Sequence, residues 1–328
     1  ESAGIWKALF AKKGIEAQEI EIGSSADGYR KGMGDGRIFY YDANKNWWSR
    51  AGVPENMPKG EPGGPDSEVF YDFGTPHDAK FGAECHPNCD CGRFLEIGNS
   101  VFMQYIKKAD GSFALLPQQN VDFGGGLERI AAASEGNSDV FSIDAFRDII
   151  GLLIHFSGKS YGDSRYKSSF RIIADHVRAA TFMIGDGVAP GNTERGYVLR
   201  RLIRRAAQHA MKLSIGDKDQ ADSMLVRAAV MTIEKYKDSY PDLDGESAYR
   251  AITDTIWNEE KQFAHTLDRG MKEFEKLVAE KYGHGVSIFS SEDAFTLFTT
   301  YGFPFEMTLE LARERGVSVD EDGFKREM

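Results

Sequence analysis

Near residue 127 the hydrophobic rhythm of this chain changes. Before it, short runs rich in β-branched and aromatic residues (EAQEIEI, GRIFYYD, SEVFYDF, FLEIGNSVFMQYI, FALLPQQNVDF) are separated by Gly, Pro, Asn and Asp, the pattern of strands punctuated by turns. After it, apolar residues return every three or four positions, the period of an amphipathic helix. The longest such stretch, 246–282, puts Ile252, Ile256, Phe263, Leu267, Phe274 and Leu277 or Val278 on one stripe and would reach ~55 Å at 1.5 Å per residue. Further helices are expected over 127–134, 169–184, 194–213, 222–237, 291–300 and 307–315, with FRDIIGLLIHFSG forming another after the first. Strands first and helices afterwards make an α+β fold, and loop connections between the strands favour an antiparallel sheet. The expected boundary gives a mixed domain over 1–136 and an all-helical domain over 137–328. The stretch SRAGVPENMPKGEPGGPDS reads as a long surface loop, and such loops are often functional.

Net charge is −11, which argues against an evenly nucleic-acid-binding surface, but residues 165–212 hold ten Lys and Arg against three acids. That segment, Arg195 included, is a candidate phosphate-binding surface. On the helix starting at Glu194, Leu199, Leu202, Ile203, Ala206 and Ala210 take the core-facing positions. Arg200, Arg201, Arg204, Arg205, His209 and Lys212 take the others. The plain reading of such a run is a solvated face with intrahelical ion pairs. This helix has one acid, Glu194, so its arginines lack local partners, and RNA phosphates are the natural ones.

All three cysteines, Cys85, Cys89 and Cys91, fall within seven residues, beside His86. An odd, clustered set is no disulfide framework and points to a reducing, cytoplasmic compartment. The spacing C-H-x2-C-x-C could hold zinc through thiolates and imidazole, although adjacent Cys85 and His86 strain that geometry; a loop of reduced thiols is the plainer alternative. No apolar run approaches the ~20 residues of a membrane span, and no signal peptide is visible. Neither a membrane nor DNA is expected as a partner.

The string Asn120-Val-Asp-Phe-Gly-Gly-Gly-Leu-Glu-Arg129-Ile places a strand, three glycines and a helix start in succession. Glycines permit positive φ and close approach to a ligand, and a helix N-terminus offers free N–H groups to an anion. By itself a triple-glycine turn is more often a simple strand-to-helix connection, and no Lys-Ser/Thr follows to make a phosphate-binding P-loop. As a whole, GLERI after a strand resembles motif 3 of class II aminoacyl-tRNA synthetases. With RFLEIGNSVFMQY before it, and IADHVRAATFMIGDGVAPGNTERGYVLRRLIRRA and DAFTLFTTYGFPFEMTLELARERG after it, the chain is similar to alanyl-tRNA synthetases in particular, over nearly its whole length.

That resemblance implies the fold of a class II antiparallel catalytic domain followed by a helical tRNA-recognition domain. It implies ATP-dependent activation of alanine and transfer to the 3′ end of alanine tRNA, with ATP and Mg2+ as cofactors. Arg129 would pack on the adenine and help hold the triphosphate, a task suited to a planar, permanently charged group; Gly124 and Gly126 would line the ATP site. Asp122 would bind the α-amino group of alanine, a charge-assisted pairing. Trp48 would wall its methyl group, Asn99 would hydrogen-bond substrate, and Gly124 would leave room. Taken singly, these read as a core Trp, a strand-end Asp and a turn Asn.

For tRNA, the resemblance makes Asn192, in the turn GDGVAPGN, the reader of the acceptor-stem G·U pair from the shallow minor groove, with Glu306 where the family usually has Asp. The structural alternatives are a helix N-cap for Asn192 and an acid favouring a helix N-terminus for Glu306. Three departures stand out. Gly98 replaces a usual Trp before Asn99, so a pocket wall would need completing otherwise. Glu61-Pro-Gly-Gly-Pro-Asp66 replaces a loop with two cysteines, so a metal proposed there in relatives is not expected here. Motifs 1 and 2 would lie upstream of Glu1, and the editing domain beyond the last residue, so this piece is not expected to edit. The alternative is a catalytically inactive fragment that binds the tRNA acceptor stem.

Overall fold

The strand-forming half begins with a helix. Helix α1 (Ser2–Lys12) precedes β1 (Gln18–Gly23), α2 (Ser25–Lys31) and β2 (Gly36–Tyr41). The computed structural model describes residues 1–214, 220–282 and 288–328. It divides into two units, Glu1–Ala145 and Phe146–Met328, with the division a little beyond residue 136.

Strands β1 and β2 pair in parallel, not in the antiparallel sheet expected throughout. The reason is local. A parallel pair needs a crossover of about a dozen residues, and α2 supplies it, started by a capping box. Asp27 N–H donates to the Ser24 hydroxyl and Ser24 N–H donates to the Asp27 carboxylate, which satisfies two orphan donors at once.

The main sheet is antiparallel, in the order β3 (Trp47–Trp48), β4 (Pro62–Asp72), β5 (Phe94–Lys107), β6 (Phe113–Gly125). Part of the stretch expected to be a loop is therefore strand. Gly63 and Gly64 make this possible: a Cβ on Gly64 would lie 1.7 Å from the Phe102 carbonyl oxygen. The proline-bearing end of β4 is irregular, with a register shift between Gly63 and Asp66, as expected where Pro interrupts a ladder. Helix α3 (Leu127–Ser134) leaves β6 directly.

Helix α4 (Asp144–Ser157) starts just before the division and runs into the second unit, followed by α5 (Ser164–Gly185), α6 (Glu194–Lys212), α7 (Met224–Tyr236) and α8 (Gly245–Leu277). Ile252, Ile256, Phe263, Leu267, Phe274 and Leu277 of the predicted stripe are buried, whereas Val278, just past the end of α8, is half-buried. Each such Ile, Leu or Phe contributes ~1.5–3 kcal/mol by leaving water, which is what holds so long a helix in place. The chain ends in β7 (Ile288–Phe289), α9 (Ser291–Thr300), α10 (Phe305–Glu314), β8 (Ser318–Val319) and α11 (Glu321–Glu327). Phe303, fully buried, sits against Gly270 of α8, where a Cβ would come within 2.3 Å of its ring. Among the described residues no helix is long and apolar enough to cross a membrane.

Candidate functional site

The register of β4, β5 and β6 decides which side chains meet. Glu68 lies opposite Asn99, and Asn99 opposite Gly124; Asp66 lies opposite Val101, and Val101 opposite Asp122. Directly opposed residues share a face, as do residues two apart on one strand. Asp66, Glu68, Asn99, Asp122 and Gly124 therefore share one face of the sheet. A register shift between Val69 and Phe70, the signature of a bulge, turns Glu96 to that side as well.

This face concentrates negative charge. Asn99 Nδ2 donates to Asp66 Oδ2 at 3.1 Å. Asp66 Oδ1 and Asn99 Oδ1 are buried with no hydrogen-bond partner among the described residues. Burial, reinforced by the charges of Asp66 and Glu96, pushes the Glu68 carboxyl up to about 7. Burial also raises Asp66, against the opposing pull of its bond from Asn99. Arg129, at the start of α3, donates from Nη1 to both the Glu96 carbonyl oxygen and Glu96 Oε2, each at 3.1 Å. Two predicted residues, Asn99 and Arg129, thus converge on acids that sequence reasoning passed over. A signal was present: Asp66 and Glu68 alternate in PDSEVF, which places both on one side of any strand.

The three glycines are not there for left-handed backbone, since neither Gly124, Gly125 nor Gly126 has positive φ. Gly124 and Gly125 end β6, and Gly126 caps α3 with φ −82°. Space is their contribution: nothing lies within 4 Å of a Cβ on Gly124, whereas one on Gly126 would press on the Arg129 side chain at 3.0 Å. Asp122 is exposed, on a strand with no sheet neighbour beyond it among the described residues, not in a desolvated pocket. Trp48 is 42% exposed, so it is not a core residue; its neighbour Trp47 is the one stacked on Tyr105, centroids 5.9 Å apart. Gly98 belongs to the face opposite Asn99 by strand alternation, and the Phe123 ring lies 3.0 Å from where its Cβ would be. Its missing side chain opens no wall on the acidic face.

In the second unit the basic helix has partners after all. Glu259 of α8, 4% exposed, accepts from Arg204 Nε at 2.6 Å and lies 3.5 Å from Arg200 Nε. Arg204 also lies over the Phe263 ring, 5.6 Å from its centroid. The α6 arginines do lack partners on their own helix, as expected, but for these two an acid comes from a helix distant in sequence and takes the place expected for phosphate. Arg195, Arg201 and Arg205 are exposed and make no ion pair among the described residues. Asn192 is exposed and is not the cap of α6: that position is Thr193, whose side chain makes no capping bond. The Asn192 carboxamide oxygen instead accepts from Arg200 Nη1. Glu306 is exposed in the first turn of α10, and the Gly302 turn just before that helix lies beside the Arg204 guanidinium.

Of the residues read as metal ligands, Cys85, Cys89 and Cys91 do converge, but His77 completes the group, its ligand atom and theirs lying within 4.8 Å of one another. His86 is fully buried and turned elsewhere, its Nδ1 2.8 Å from the Tyr41 hydroxyl.

A family model described as tRNA synthetases class II (A) matches residues 15–328. The chain belongs to this family. Similar proteins include alanine–tRNA ligases from Hydrogenovibrio crunogenus, 38% identical over 99% of this chain and 34% of the relative, and from Treponema pallidum, 38% identical over 95% of this chain and 49% of the relative. That of Natranaerobius thermophilus is 39% identical over 81% of this chain and 30% of the relative. The chain thus spans about a third to a half of the length of these relatives. The matched residues include the end of β6 and the start of α3, where Arg129 lies beside the acidic sheet face.

Proposed function

We propose that this chain is the part of an alanine–tRNA ligase that completes the ATP and alanine site and grips the tRNA acceptor stem. The observation that carries this reading is the single sheet face that gathers Asp66, Glu68, Asn99, Asp122 and Gly124, with Glu96 and Arg129 beside them. In the proposed reaction an alanine carboxylate oxygen attacks the α-phosphorus of ATP and pyrophosphate leaves. A ribose hydroxyl of the terminal adenosine of tRNA then attacks the alanyl carbonyl, and AMP leaves.

The residues divide the work by charge. Asp122 holds the ammonium of alanine, Asn99 supplies a polar contact and Trp48 offers an apolar wall. Arg129 trades Glu96 for the nucleotide, its plane against the adenine and its charge toward the triphosphate; Gly124 and Gly126 leave room for ATP. The half-buried carboxylates of Asp66, Glu68 and Glu96, with the unpartnered oxygens of Asp66 and Asn99, suit a hard divalent cation that takes oxygen ligands. These are the groups that would hold Mg2+, which when bound neutralises phosphate charge. In the second unit, exposed Arg195, Arg201 and Arg205 meet phosphates, while Asn192 and Glu306 address the G·U pair. Arg200 and Arg204 act from behind, anchoring α6 to Glu259 and steadying Asn192. Such a protein works in the cytoplasm.

Alanine-dependent exchange of pyrophosphate into ATP tests the reading. Exchange by the chain that falls ~10²–10³-fold in Arg129→Ala supports it, the usual cost of removing one charge-stabilising group. A second reading, an inactive acceptor-stem binder, is favoured by the exposure of Asp122 on β6, the edge strand of its sheet among the described residues. It predicts no exchange but retained preference for a G·U over a G·C stem. Loss of both would defeat either reading.

A further inference from the structure

The connection between β4 and β5 runs from Phe73 to Arg93 with a single 3-10 turn, Ala79–Phe81. A stretch this long with so little secondary structure needs something to hold it. At its base Arg93 makes a two-pronged bond to Asp72, Nε to Oδ1 and Nη2 to Oδ2, each 2.8 Å. Farther along stands the group His77, Cys85, Cys89 and Cys91.

We propose that these four side chains form a structural zinc site, with His77 and not His86 as the nitrogen ligand. Zinc takes thiolate at ~2.3 Å and imidazole at ~2.0–2.1 Å in a tetrahedron. Simple geometry then requires sulfurs ~3.8 Å apart and a sulfur–nitrogen edge of ~3.6 Å. Cys85 Sγ and Cys91 Sγ are 3.6 Å apart, and Cys89 Sγ lies 3.7 Å from His77 Nδ1. Both spacings already match the edges of such a tetrahedron.

The imidazole is set up for the task. His77 Nε2 lies 2.9 Å from the Gly82 carbonyl oxygen. A carbonyl only accepts, so Nε2 carries the proton and Nδ1 presents its lone pair to the thiols. A ligand histidine oriented through its other nitrogen is the usual arrangement at a metal. A turn closed by Cys89 N–H donating to the His86 carbonyl at 2.9 Å, with Pro87 and Asn88 at its tip, brings Cys85 and Cys89 together. His86 cannot join them. Its ring is edge-on to Tyr29, centroids 4.5 Å apart, and a Cβ on Gly28 would touch it at 2.7 Å. Its role is to pack the loop against α2. All three cysteines are free thiols, and a soft thiolate-rich set selects zinc over the hard cation suited to the sheet face.

The test is metal analysis of the full chain purified without added metal, with zinc K-edge absorption and a thiol count before and after chelation. The site requires one zinc per chain, a shell of three sulfurs and one nitrogen, and three thiols that react only after chelation. His77→Ala should weaken zinc affinity by more than ~100-fold, beyond the usual effect of outer-shell changes. His77→Cys should keep the metal as a four-sulfur site, and His86→Asn should keep the original shell. If His86→Asn does not fold, the absorption spectrum of His77→Cys still separates the ligands, because only a bound His77 gives a gain of one sulfur. Three freely reactive thiols without metal, or a disulfide between Cys85 and Cys91 in place of zinc, overturns the proposal.

Discussion

Replacing Arg204 by Gln should destabilise the helical unit without being, in the first place, an RNA-binding defect. Arg204 is the nearer of two guanidinium groups facing Glu259, at 2.6 Å against 3.5 Å for Arg200, and Glu259 is 4% exposed. Removing one partner of a buried ion pair strands the other charge, typically at ~3–5 kcal/mol. Arg200 remains close enough to blunt that cost, so we expect the low end, ~3 kcal/mol. For a unit of this size each kcal/mol moves the melting temperature by ~2–4 °C, so the drop is ~6–12 °C. Helical circular dichroism against temperature reads it. The double variant Arg204→Gln with Glu259→Gln should recover part of the loss, since no charge is then stranded. Arg201→Gln and Arg205→Gln, both exposed, should change stability by no more than ~0.5 kcal/mol. Each should nevertheless flatten the salt dependence of RNA binding by ~0.7–0.9 in log–log slope for every phosphate no longer neutralised. If Arg204→Gln melts like the parent while losing RNA affinity as Arg201→Gln does, the division of α6 into anchoring and phosphate-facing arginines is wrong.

Other consequences follow from single interactions. Gly64→Ala would drive a Cβ to 1.7 Å from the Phe102 carbonyl oxygen; the sheet must shift, and the strand-forming unit should lose ~3 kcal/mol or more, seen as a lower melting temperature or loss of soluble protein. Glu68 is raised from 4.5 to about 7 in the folded chain, so the folded state binds its proton more tightly than the unfolded state does. Its contribution is present below pH 4.5 and is lost as pH rises toward about 7. A Glu68→Gln variant should lack that loss when melting temperature is followed across this window. Arg200→Gln frees the Asn192 carboxamide; preference for a G·U over a G·C acceptor stem, worth ~1–3 kcal/mol for a good base interaction, should fall further than affinity for the G·C stem.

How much of this is legible in the sequence depends on the range of the interaction. The α8 stripe from Ile252 to Leu277 is readable because a helix repeats its burial every turn, and all of it is buried. The start and end of α3 are equally local. What sequence spacing does not carry is pairing made at a distance. Glu259 lies 55 positions from Arg204, and nothing around either announces the other. Spacing favours His86 over His77 because nearness in sequence stands in for nearness in space, whereas the turn at Pro87–Asn88 folds the thiols back toward His77 and leaves His86 facing Tyr41. The acids of the sheet face are hidden for a different reason. With Pro62 to Asp66 read as loop, Asp66 and Glu68 have no strand to share and so no common face.

The two units present opposite electrostatic problems, and each is left partly unsolved within the chain. In the first, Asp66, Glu68 and Glu96 crowd one sheet face, with Arg129 bonded to Glu96 and the attraction of Lys45 for Glu68 outweighed by burial and by the neighbouring acids. A polyphosphate brought to such a face meets repulsion from these acids and from Asp122 on the same side, and one guanidinium cannot offset that, since Arg129 is itself already paired with Glu96. A divalent cation would change the sign of the balance: held by the carboxylate oxygens, it would turn them from obstacle into support. Nucleotide binding on this face should therefore depend on the metal far more steeply than on Arg129. In the second unit the surplus is positive. Glu259 answers two of the arginines of α6 and leaves Arg195, Arg201 and Arg205 in solvent, where a partner bringing its own negative charge can neutralise them. A net charge of −11 opposes indiscriminate attraction of such partners. For the proposed RNA partner, the exposed arginines of α6, and not the paired ones, should govern the salt dependence of binding.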